Sequence, residues 1–99
     1  MSKTARTNGT TVAVPVSSAG VVVLAAANSS RKGLWISNPP TNTGRLYFNL
    51  SDTNPTATLS EYLNPGDSYE DTRETCYQGI VSGLYSIAGP QNIAVTEQS

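Results

Sequence analysis

Turn-forming residues interrupt this chain so often that a long helix has nowhere to form. No window of about a dozen residues sustains apolar positions at i, i+3, i+4 and i+7, the spacing of a helix with one buried face. The stretches between interruptions are short and mostly alternate with a period of two. That is the period of a strand with one face on a core. Residues 10–16 place Val12, Val14 and Val16 on one face, and Pro15 among them predicts an edge strand or a strand end. Residues 33–38 set Leu34 and Ile36 against Trp35 and Ser37, until Pro39-Pro40 stops the ladder. Residues 45–50 set Leu46, Phe48 and Leu50 against Tyr47 and Asn49.

The remaining segments follow the same rule less cleanly. The unbroken apolar run 21–27 predicts a strand buried on both faces. Residues 56–63 make a weak strand. Asn64-Pro65-Gly66-Asp67 is a type II turn signal, because Pro presets φ at the second position and Gly accepts a positive φ at the third. Residues 68–72 then read as an exposed strand. The last third predicts strands at 77–82, 84–88 and 92–97, divided by Gly83 and by Gly89-Pro90. Short strands at this spacing predict an all-β fold, an antiparallel β-sandwich or jelly roll of about eight strands. Residues 1–9 have no apolar period and read as an N-terminal docking arm; residues 10–99 form the single sandwich domain.

The inventory excludes most chemistry. Without His there is no Ser–His or Cys–His nucleophile and no imidazole ligand. The single Cys76 makes no internal disulfide and reads as a small buried residue. Five acids (Glu61, Asp67, Glu70, Asp71, Glu74) crowd one turn-rich stretch. They lack the ordered spacing of a calcium loop and read as a solvated segment. No phosphate-cradling glycine motif is present, so no cofactor is expected. Lys3 and Arg6 followed by an apolar stretch have the outline of a secretory signal, but Pro15, Ser17, Ser18 and Gly20 break it. The run 21–27 is too short to span a membrane. Charge is lopsided: five cations and no acid lie in residues 1–45, and all seven acids lie in the rest. Five dispersed cations make no nucleic-acid footprint. Two solvated regions of opposite sign are the plain reading, and pairing between subunits the sharper one.

Aromatic rings are the remaining candidates for function. Phe48 is the clear core ring. Trp35 and Tyr47 fall on the outward parity of their strands and predict either a subunit interface, where Trp and Tyr are enriched, or a sugar-binding platform. A domain this small buries a thin core, so association with further chains is expected.

A pattern along most of the chain adds to this. The run from Leu24-Ala25-Ala26-Ala27-Asn28 through Arg31-Lys32 to Leu34-Trp35-Ile36-Ser37-Asn38 resembles a signature of small β-rich tailed-phage virion proteins. A strand like Leu46-Tyr47-Phe48-Asn49-Leu50, a Pro65-Gly66 turn before Tyr69-Glu70, a Gly79-Ile80 strand and a final Ala94-Val95-Thr96-Glu97 continue it in order. The resemblance covers residues 20–97. It implies a non-enzymatic capsid decoration or cement protein on the capsid surface, binding at junctions between major capsid protein subunits. A homotrimer is expected, since capsids present local threefold junctions, with no nucleic acid or membrane partner. No site residue carries over from the resemblance. Interface candidates come from the residues themselves: Lys3 and Arg6 in the arm, Trp35 and Tyr47 on the strands. Two alternatives stay open, a carbohydrate-binding β-sandwich module and a tail or fibre component of the same virion.

Overall fold

The computed structural model describes residues 10–51, 53–56, 60–72 and 76–99. Among them are eight strands and no helix: β1 Thr10–Val16, β2 Val22–Ala25, β3 Gly33–Ser37, β4 Leu46–Asn49, β5 Glu61–Leu63, β6 Ser68–Asp71, β7 Val81–Tyr85 and β8 Gln91–Gln98. The expected arm, with Lys3 and Arg6, lies outside the described residues.

All pairings are antiparallel, and they nest. β4 meets β5, β3 meets β6, β2 meets β7 and β1 meets β8, as in one long hairpin with its tip between β4 and β5. Rolling that hairpin adds the contacts β3–β8 and β4–β7. The product is two four-stranded sheets, β1-β8-β3-β6 and β2-β7-β4-β5. This is the jelly-roll form of an antiparallel sandwich, as the strand spacing predicts.

Alternation explains which side chains fill the space between the sheets. Val16, Leu34, Ile36, Ile93 and Val95 face inward from the first sheet; Leu24, Leu46, Phe48, Leu63, Val81 and Tyr85 face them from the second. Leu50 is half-buried against this core, and Cys76 lies within it. Phe48 and Tyr69 meet across the sheets as tilted rings with centroids 5.3 Å apart. The Asn64–Asp67 turn forms as predicted: the Asp67 N–H donates to the Asn64 carbonyl, and Gly66 takes φ +91°.

Three expectations need correcting. The run 21–27 is not buried on both faces: β2 is an edge strand, with Val21 and Val23 exposed on its outer side. Gly83 does not separate two strands but sits inside β7, where a Cβ would come within 2.9 Å of Leu24. A side chain there would displace a core leucine, so Gly83 is a packing requirement and not a turn. Phe48, the clear core ring by sequence, is not alone there: Tyr85 is also a buried member of the core.

Two buried polar side chains tie the sheets together at opposite ends of β3. Arg31, just before β3, is 1% exposed. Its Nε donates to Glu97 of β8 at 2.6 Å, and its other nitrogens donate to the carbonyls of Ala26, Tyr77 and Gly79. Asn38, just after β3, is fully buried. Its Nδ2 donates to the Leu63 carbonyl at 3.0 Å, while its Oδ1 accepts from Asn42 Nδ2 at 2.9 Å and from the Tyr85 hydroxyl at 3.2 Å. Asp71 is likewise buried, not solvated as the acidic stretch suggested; its carboxylate accepts the Tyr77 N–H at 3.2 Å.

Candidate interaction face

The outward sides of the two sheets carry different residues. On the first, Thr96 lies between Thr11 of β1 and Trp35 of β3, and the Thr11 and Thr96 hydroxyls are 2.7 Å apart. Trp35 has the outward parity expected of it, yet it is only 5% exposed. The reason lies two residues earlier: a Cβ on Gly33 would sit 3.0 Å from the indole ring. The ring therefore lies back along its own strand over the glycine, and its area is consumed within the chain. Parity reveals the side of the sheet, but not whether a ring stands up or lies down.

The second sheet presents an aromatic and aliphatic row. Tyr47 of β4 sits directly between Leu84 of β7 and Tyr62 of β5. The next row out along these strands pairs Val23 of β2 with Ser82, and Ser82 with Asn49. Tyr62 is 52% exposed and Val23 51%, with Val21 exposed beside them and Tyr47 and Leu84 half-buried. Arg45 covers one face of Tyr62, its guanidinium carbon 4.3 Å from the ring centroid, and its Nε donates to Asn64 Oδ1 at 3.0 Å. That geometry is a cation–π contact held in place by a hydrogen bond. Of the four predicted interface residues, Tyr47 thus takes part in an exposed face. Its neighbours Tyr62, Leu84 and Val23 come from strands far apart in sequence, and only the sheet order brings them together.

A depression of about 300 Å³ near the β7–β8 turn is lined by Ser17, Ser18, Ala19, Ala88, Gly89 and Pro90, none of them titratable. Among the described residues, no group of three or more Asp, Glu or Cys side chains converges as metal ligands would, and no helix is long and apolar enough to cross a membrane. Arg31, counted by sequence with the basic half of the chain, has its charge paired internally with Glu97.

No family model matches the chain, and neither a curated protein nor a solved structure does. Arg31 and Asn38, both within residues 24–38, are the buried ties between sheets described above.

Proposed function

We propose that this chain is a non-enzymatic structural protein of a virion, of the capsid decoration type, and that it docks on a larger protein surface through the outer face of its second sheet. The observation that carries this reading is the outward row Tyr62–Tyr47–Leu84, exposed at Tyr62 and half-buried at Tyr47 and Leu84, with exposed Val23 and Val21 beside it. Exposed Tyr in a flat apolar setting is what protein interfaces use as anchors, because a rigid ring buries much area at little entropic cost. Jelly rolls occur in viral capsid domains; this is an analogy of fold, and fold alone does not carry function. In this reading each copy adds buried area across a junction between major capsid protein subunits, and many copies resist the outward pressure of packaged DNA collectively.

The test is cosedimentation of the full chain with capsid shells of the virus that encodes it. Wild type binds, while Tyr62→Ala combined with Val23→Asp weakens binding at least tenfold and leaves the melting temperature unchanged. Reversing both arm charges (Lys3→Glu with Arg6→Glu) weakens binding more at low salt than at high salt, because salt screens charge attraction. Undiminished binding by the Tyr62/Val23 variant removes the proposed face from consideration.

Adjacent tyrosines on an open sheet also favour a second reading, a carbohydrate-binding module, and jelly rolls include lectin domains. Two features weigh against it: Arg45 occupies one face of Tyr62, and the indole of Trp35 is covered. A glycan array read with wild type and Tyr47→Ala separates the readings, since only sugar binding produces a signal that the variant abolishes.

A further inference from the structure

Among the described residues the two sheets have four edge strands, β1 and β6 on one sheet and β2 and β5 on the other. Open edges invite pairing with other strands, and soluble proteins blunt them with charges, bulges, prolines or shortness. Three edges here are blunted. β5 has three residues, β6 carries Glu70 and Asp71, and β2 has a register break between Val23 and Ala25. β1 differs. It is seven residues long, uncharged, rich in Thr and Val, and exposed through its first four positions. Its one guard is Pro15, near its end.

Val12 sharpens the contrast. Its partner Val95 is buried in the core, so Val12 has the inward parity, yet it is 49% exposed. An apolar side chain on the core side of a strand, with nothing over half of it, marks an unfinished layer.

We infer that β1 pairs with β1 of a second copy, antiparallel about a twofold axis through Val12, joining the first sheets of two copies into one. Backbone alternation sets the register. An edge-strand proline is tolerated with its nitrogen on the open side. By alternation Thr11 and Ala13 then also turn their N–H and C=O groups outward. A twofold axis at Val12 sets Thr11 of one copy opposite Ala13 of the other, twice, forming about four backbone hydrogen bonds. Val12 meets its own counterpart in the non-hydrogen-bonded site, where side chains approach most closely. The joint brings no like charges together, because β1 has none, and Pro15 ends the pairing on each side. Such an isologous contact closes on itself and does not propagate into fibres. It is also independent of the proposed capsid-docking face, which lies on the other sheet.

The joint is small for a protein interface, so the expected association is weak, with Kd on the order of 10–100 μM. Sedimentation equilibrium of the full chain over that range should show a monomer–dimer equilibrium. Val12→Asp, which opposes two carboxylates, should raise Kd at least tenfold without changing the far-ultraviolet spectrum or the melting temperature. Under mild oxidation Val12→Cys should cross-link to a dimer, while Thr10→Cys, offset from its counterpart by several residues in this register, should not. The native Cys76, buried, serves as the background in wild type. A wild type that stays monomeric across the range, one that assembles to a trimer, equal cross-linking by both cysteine variants, or dimerisation unmoved by Val12→Asp would each overturn the inference. None of these outcomes bears on binding to capsids.

Discussion

Arg31 and Asn38 solve the same problem at opposite ends of β3 with different chemistry. Each is buried, each reaches from the first sheet to backbone at the second, and each flanks β3. The arginine end is ionic: a planar guanidinium spreads donors over Glu97 and three carbonyls. The asparagine end is neutral: one amide gives to the Leu63 and Gly44 carbonyls and takes from Asn42 and Tyr85. A side chain with five fixed donors and no acceptor suits a place where several carbonyls converge. An amide, with both donors and acceptors, suits a place where two carbonyls and two donors meet. The local loop backbone, not the overall charge, decides which residue type serves.

The largest expected effect follows from the ionic end. Arg31→Met leaves three carbonyls without their charged donor and should cost about 3–5 kcal/mol, since each buried acceptor left unpaired costs about 1–3 kcal/mol. Against a typical total of about 5–15 kcal/mol, urea denaturation should find the domain barely folded. Arg31→Lys should recover little, because a single ammonium does not match the fork. Asn38→Ala comes next, at about 1–3 kcal/mol for the buried groups it leaves unpaired. Glu97→Gln keeps an acceptor for Arg31 and removes only the charge of a partly exposed partner. About 1 kcal/mol is expected in the same assay, reduced by solvent screening. Tyr85→Phe removes the hydroxyl that faces Asn38 Oδ1 and the Gly44 carbonyl and should cost about 0.5–1.5 kcal/mol. The comparison itself is tested by double-mutant cycles. Arg31 and Asn38 are roughly 20 Å apart along β3 by strand rise, so Arg31→Lys with Asn38→Ala should be additive within about 0.5 kcal/mol. Arg31→Met with Glu97→Gln should not.

Neither tie was visible in the sequence. Arg31 beside Lys32 reads as surface charge, and Asn38 before Pro39-Pro40 reads as the end of a strand. Alternation was legible wherever one face of a strand meets the core: Leu34, Ile36, Leu46 and Phe48 lie where their period puts them. It failed where burial depends on something from elsewhere in the chain. Gly83 is required by Leu24, Trp35 lies flat because Gly33 leaves room, and Val23 is exposed because β2 has no neighbour on one side. The candidate face was legible for one residue. Tyr47 announces its side by parity, but Tyr62 and Leu84 join it through pairings that no local pattern encodes.

The nested pairing has a kinetic consequence. Closing a loop costs more entropy the longer the chain it encloses, so β4 and β5 are the pair best placed to meet first, followed outward by β3 with β6 and β2 with β7. β1 and β8, which enclose nearly the whole chain, close last. Contacts made after the transition state alter unfolding more than folding, so substitutions in β1 should speed unfolding and leave the refolding rate nearly unchanged. Until β1 arrives, β8 stands as a temporary edge of eight residues, and the chain spends the end of its folding with that edge open to any strand that finds it.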